Sequence, residues 1–210
     1  TISFTTATAA AIVVSAANCS IKNCIFSAGF ADVAEAFTLT AVSFTIEDCV
    51  FQDAATSENF IELFDTGTSD NEVDDLAILN CKWTSPDTAC ASVINVDSDI
   101  DGLTVHDCYF DLAVNGVLSI IAEVATGKDL TNIDIRRNYG TRLVTGSAVG
   151  YITFVDTTTT NTGVMKDNTW RSLDTAGELY VTAGSNITFD NNKATSAIDR
   201  SGYLLPAADS

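Results

Sequence analysis

Seven times the chain returns to one short pattern. Four copies are Ser20-Ile-Lys-Asn-Cys-Ile-Phe26, Thr45-Ile-Glu-Asp-Cys-Val-Phe51, Ala77-Ile-Leu-Asn-Cys-Lys-Trp83 and Thr104-Val-His-Asp-Cys-Tyr-Phe110. Three more carry Asn where these carry Cys: Asp134-Ile-Arg-Arg-Asn-Tyr-Gly140, Val164-Met-Lys-Asp-Asn-Thr-Trp170 and Thr188-Phe-Asp-Asn-Asn-Lys-Ala194. The marker position thus runs Cys24, Cys49, Cys81, Cys108, Asn138, Asn168, Asn192, at intervals of 25, 32, 27, 30, 30 and 24 residues. Self-similarity at such a period means a solenoid or a propeller, because each unit must bury its apolar side against its neighbours. A four-stranded propeller blade needs about 40 residues, so the solenoid is favoured.

The inside of the unit gives the backbone. An aliphatic or aromatic residue lies three before the marker in every copy (Ile21, Ile46, Ile78, Val105, Ile135, Met165, Phe189). Five before it another apolar residue stands in all copies but the sixth, which has Gly163. That is the two-residue period of a strand face. An aromatic two after the marker (Phe26, Phe51, Trp83, Phe110, Trp170) shows the same period. The step from the aliphatic to the marker is odd, so the inward face changes phase between them. The residue before the marker is Asn23, Asp48, Asn80, Asp107, Arg137, Asp167 or Asn191. Asn and Asp tolerate the left-handed conformation of a sharp bend. Each unit therefore reads as strand, one-residue corner, strand.

A further strand is expected before each corner unit: Ile12–Ser15, Phe37–Val42, Phe60–Asp65, Ser92–Asp97, Leu118–Val124, Tyr151–Asp156 and Leu179–Thr182. Three short strands per rung, stacked at about 4.8 Å, make an all-β rod of about seven rungs and roughly 30 Å. The seven corner units, spanning Cys19 to Ala194, resemble the right-handed parallel β-helix of the pectin-lyase-like superfamily. That resemblance implies one β-helix domain over residues 1–200, with 201–210 a tail that includes Tyr203-Leu-Leu-Pro206 and serves as cap or contact segment. It does not imply one activity, because the fold hosts polysaccharide lyases, glycoside hydrolases, adhesins and phage tailspikes.

Composition narrows the partners. With 28 acidic against 10 basic residues the chain carries −18, which repels nucleic acid and anionic membranes. No apolar run reaches the length of a membrane-spanning helix, so no membrane insertion is expected. The apolar Ala7–Ala17 is too short, and lacks the basic flank, for a signal peptide. Six cysteines would allow three disulfides, yet four of them share one inward position on successive rungs. The expectation is a ladder of buried thiols continued by stacked asparagine amides. There is no C-x-x-C pair, and neither a metal nor another cofactor is expected.

Catalytic constellations are thin. His106 is the one histidine and occupies an outward strand position. Arg136, Arg137 and Arg142 form the one basic cluster, beside Asp134, but the R-x-P-x-x-R motif of the pectate lyases is missing. Glycosidase-type tailspikes of this fold use acid pairs on an exposed sheet face. The corresponding candidates here are Asp65, Asp97 and Asp156, with Glu123 as a partner. Asp-Thr and Asp-Ser at a strand end are also ordinary turn starts. Strict alternation along the further strand puts Ile61, Val93, Ile121 and Ile152 on the outside, an apolar stripe that would mark a contact face.

The expectation is a non-catalytic structural or attachment protein. It resembles the short β-helix virion proteins of tailed phages, as a tail-fibre or spike segment or a capsid-decorating protein exposed on the particle. Its partners would be itself, with a homotrimer by analogy, other virion or surface proteins, and a glycan. The alternatives are a secreted polysaccharide-degrading enzyme and a bacterial surface adhesin.

Overall fold

The structure is a computed structural model that describes residues 1–5, 11–55, 57–70, 72–85, 90–112, 119–123, 128–142, 152–153, 161–172, 186–196 and 203–204. Among these residues every regular element is a β-strand, and the strands stack as a parallel β-solenoid.

Three sheets run along the coil. The strands that lead into the corner form a seven-stranded approach sheet: Ser20–Lys22, Thr45–Glu47, Ala77–Leu79, Thr104–His106, Ile133–Arg136, Thr162–Lys166 and Asn186–Asp190. Those that leave it form the exit sheet: Ile2–Phe4, Ile25–Ala28, Val50–Asp53, Lys82–Ser85, Tyr109–Leu112, Tyr139–Arg142, Thr169–Ser172 and Lys193–Ser196. A return sheet holds Ile12–Val14, Val33–Leu39, Phe60–Asp65, Ser92–Val96, Ser119–Glu123 and Ile152–Thr153. A two-stranded pair, Ile100–Asp101 with Leu130–Thr131, lies between return and approach strands in the chain. All pairings are parallel except the last, where Tyr203–Leu204 runs antiparallel to Lys193–Ala194 at the end of the exit sheet.

The corner is the left-handed bend that its residue types suggest. Asn23, Asp48, Asn80, Asp107, Arg137, Asp167 and Asn191 all have φ between 49° and 57°. A second column of such bends lies six residues before the first five markers, at Asn18, Ser43, Asp75, Gly102 and Asn132, with φ of 53° to 88°. The polar side chains bridge rungs outside the corner. Asn80 donates to Asp48 at 2.5 Å and Asn191 to Asp167 at 2.5 Å. Arg137 is an unusual residue for this conformation. It is held by a bidentate pair with Asp107 of the preceding rung, both bonds 2.7 Å.

Like stacks on like in the core. Ile46, Ile78, Val105, Ile135 and Met165 are buried and consecutive in register. Phe26 stacks on Phe51 at 5.0 Å between ring centroids, and Phe37 on Phe64 at 5.4 Å. Gly163, the exception in the sequence pattern, is explained by a close approach. It pairs with Ile133 at φ 138°, where an added Cβ would lie 2.1 Å from the Ile133 carbonyl oxygen.

The marker column is a hydrogen-bonded ladder. The amide N–H of Cys108 donates to Asn138 Oδ1 (2.9 Å), that of Asn138 to Asn168 Oδ1 (3.0 Å) and that of Asn168 to Asn192 Oδ1 (3.1 Å). The Asn side chains in turn donate to the carbonyls of Val105, Ile135 and Met165 at 2.7 to 2.9 Å. The cysteines do the same more weakly: Cys108 Sγ accepts from the Cys81 amide at 3.4 Å and donates to the Ile78 carbonyl at 3.5 Å. All six cysteines are free. Burial pushes the Cys49 thiol up to about 11. Its hydrogen bond with Cys81, then burial, pushes Cys108 up as well, so these thiols stay neutral.

Candidate functional site

The proposed acidic column and apolar stripe both depend on the return sheet, and there the register differs from strict alternation. Ala36-Phe37, Leu63-Phe64 and Val93-Ile94 are each two consecutive buried residues. A strand that buries two neighbours changes face at that point, so alternation counted through it comes out one residue wrong. The register is Phe37 on Phe64 on Ile94 on Ile121 on Ile152. Ile61 therefore lies two places before the partner of Val93, and Val93 is fully buried beside Leu63. Ile61, Val93, Ile121 and Ile152 do not form one column. Ile121 and Ile152 continue the line of the buried Ile94. The strand expected from Phe37 begins at Val33.

The same register takes the candidate acids off one shared column. Asp65 pairs with Asn95, and Asp97 lies two residues further on. Glu123 pairs with Val96, and Asp156 lies outside the described residues. The Asp65 carboxylate accepts the Gly67 amide at 2.8 Å, a turn contact at the strand end. What the sheet does bring together is Glu35 and Glu62, register partners on neighbouring strands, with Asp65 and Asp97 close enough to act on Glu62. Burial first, then Asp65, Glu35 and Asp97, push the Glu62 carboxyl up to about 7. Burial and Asp65 also raise Asp97. Glu62 therefore holds a proton near neutrality, as a general acid must. Sequence reasoning missed Glu35 and Glu62, because their outward phase becomes visible only once the face change at Leu63-Phe64 is known.

Many other acids have structural partners. Asp70 accepts the amide of Asp99 (3.3 Å), Asp99 that of Asp129 (2.9 Å) and Asp74 that of Asp101 (2.9 Å). These carboxylates carry the backbone hydrogen bonding from rung to rung at the loop ends of the strands, which accounts for part of the −18 charge. Lys128 pairs with Asp70. The basic cluster is likewise engaged. Arg136 pairs with Asp134, whose other oxygen is 3.3 Å from His106 Nε2, and Arg137 pairs with Asp107. Only the backbone of Arg142 is described. Among the described residues no group of three or more His, Cys, Asp or Glu is placed to hold a metal ion, and no helix is long and apolar enough to cross a membrane.

The exit sheet presents a different surface. Its outward column runs Ile25, Val50, Lys82, Tyr109, Tyr139, Thr169 and Lys193 in register. Beside it run Gln52, Thr84, Asp111, Thr141 and Arg171. A groove of about 450 Å³ opens over this face, lined by Val50, Gln52, Asp53, Lys82 and Thr84 among others. Comparison with known proteins brings no relative to bear on either face: no family model, no curated protein and no solved structure matches this chain.

Proposed function

We propose that this chain is a non-catalytic structural or attachment protein. In this reading it is a rigid rod segment of an exposed assembly, of the kind found as tail-fibre, spike or capsid-decorating proteins of tailed phages. Its coil would be the right-handed helix of the pectin-lyase-like superfamily, and its partners other particle proteins or further copies of itself. The observation that carries the reading is the continuous marker ladder from Cys24 to Asn192. It invests six buried positions and the half-buried Cys24 in bonds along the coil, while Arg136, Arg137, His106 and much of the acidic surface are engaged in contacts between and within rungs. The test is native mass by light scattering together with negative-stain imaging of the particle source. A defined oligomer, or the chain at regular positions on a shell or tail, supports the reading. A monomer found free of any particle counts against it.

Glu62 favours a second reading, polysaccharide cleavage on the return sheet, with Glu62 as proton donor and Asp65 or Asp97 as the ionised partner. Glycan cleavage by the parent chain, lost in Glu62→Gln and Asp97→Asn, would establish it.

A further inference from the structure

We propose that the N-terminal end of the coil is the contact face for a second copy of this chain, with two coils meeting head to head about a two-fold axis. The contact rests on the attachment reading for its partner, a further copy of the rod, and adds the face that the copies use. Charge, apolar exposure and backbone pairing at that end all point to it.

The chain carries −18, yet none of its 28 acidic residues precedes Asp32. The one charged side chain in residues 1–31 is Lys22, which is paired with Glu47 of the next rung. Association flank to flank would set acid-bearing rungs of two copies side by side along their length, and like charges so placed repel. Contact through the first rung keeps those charges apart.

Apolar exposure gathers at the same end. Among the described residues four large apolar side chains are exposed, and three of them, Ile2, Val13 and Ile25, belong to the first strands of the coil. Ile2 shows how the exposure arises. It is 42% exposed, while Phe26, its register partner in the next exit strand, is fully buried. Ile21 in the approach sheet is likewise half-buried against the fully buried Ile46. The columns that stack inside the coil therefore end here on open side chains, and clustered apolar surface of this kind marks a contact.

The backbone is open as well. Ile2–Phe4, Ile12–Val14 and Ser20–Lys22 are the edge strands of the three long sheets at this end. An edge strand presents unpaired N–H and C=O groups and templates pairing with another chain. The other end of the exit sheet differs, because Tyr203–Leu204 runs antiparallel over Lys193–Ala194 there. That strand fills the place that Ile2–Phe4 of another copy would need in a head-to-tail stack. A two-fold axis normal to the exit sheet instead sets Ile2–Phe4 antiparallel to its own copy and leaves both covered ends outward. Antiparallel pairing is what this sheet already accepts at its far edge. Such a contact is self-complementary and closes at two copies, whereas a head-to-tail contact would build filaments.

The experiment is sedimentation velocity of the full chain from micromolar to millimolar concentration, with small-angle X-ray scattering at the upper end. The expected result is a monomer–dimer equilibrium whose dimer is close to twice the monomer's length and no wider. Ile2→Asp sets two like charges at the axis and should weaken dimerisation at least tenfold. Val13→Asp should weaken it severalfold. Both side chains are exposed, so each variant should keep the parent's circular dichroism spectrum. Tyr109→Asp, on the flank of the exit sheet, should leave the dimer intact. A monomer at every concentration overturns the proposal, as does a dimer no longer than the monomer or an assembly that keeps growing with concentration. A dimer that resists both end variants, or one that Tyr109→Asp dissociates, also overturns it. A chain imaged on a particle, its N-terminal end seated on a different protein and monomeric in solution, removes this inference and leaves the attachment reading. Glycan cleavage by a head-to-head dimer removes the non-catalytic reading and leaves the contact.

Discussion

Replacing Asn168 by alanine isolates the ladder. The side chain is fully buried and makes four hydrogen bonds. Its Oδ1 accepts the amide and the side-chain N–H of Asn138, both at 3.0 Å, and its Nδ2 donates to the Ile135 carbonyl at 2.9 Å and to Asn192 Oδ1 at 2.8 Å. Each bond contributes about 1 kcal/mol net, and an amide left buried without an acceptor costs about 1–3 kcal/mol. Asn138 Nδ2 keeps Val105, and Asn192 Oδ1 keeps the backbone N–H of Asn168, so the loss is partial. The expected destabilisation is about 3–5 kcal/mol, with the small cavity included. Asn168→Cys is the internal control. In the rungs before it a sulfur fills this position, accepting one amide and donating to one carbonyl, so Cys should recover about half of the loss. Urea unfolding followed by circular dichroism measures both variants against the parent. An alanine variant within about 1 kcal/mol of the parent, or a cysteine variant no better than alanine, would refute the ladder as a source of stability.

Three further outcomes are expected. Cys81→Asp places a charge at a position 2% exposed and should destabilise by more than about 3 kcal/mol; a heat-stable variant would refute the rung register. Gly163→Ala forces a Cβ into the Ile133 backbone at a φ of 138° and should lower the melting temperature by 10 °C or more on the order-of-magnitude scale of a few kcal/mol; an unchanged melt would contradict the close approach. Glu62 keeps its proton in the folded chain up to about 7 but loses it near about 4.3 when unfolded. The folded state therefore binds the extra proton between those values, and stability falls as pH rises through that window. Glu62→Gln should flatten the fall and gain about 1 kcal/mol at pH near 8, allowing for partial exposure, with no gain near pH 4. Parallel stability curves for parent and variant would show that Glu62 titrates normally.

Much of this architecture was legible in the sequence because the corner unit is short and chemically demanding. Only a residue tolerant of left-handed φ suits the bend, and only a small side chain able to satisfy backbone groups suits the marker, so Asn, Asp and Cys recur there. Arg137 is the one departure from these types, held at the bend by its bidentate pair with Asp107. The return sheet was less legible. Its strands bury Ala36-Phe37, Leu63-Phe64 and Val93-Ile94 as adjacent pairs, and a two-residue period has no means of showing where the face turns. That hid Glu35 and Glu62 and produced an apolar stripe of residues that are not in register. The exit face was overlooked for another reason. Lys82, Tyr109 and Tyr139 lie one residue after their markers, and each looks like ordinary outward filling until the rungs are stacked.

The most direct test of the account is hydrogen exchange of the asparagine side-chain amides by NMR. If the markers form one buried column, the Nδ2 protons of Asn138, Asn168 and Asn192 will exchange far more slowly than those of the exposed Asn23 and Asn191. Exchange of all five at the same fast rate would mean that the marker positions face water, and the solenoid register described here would be wrong.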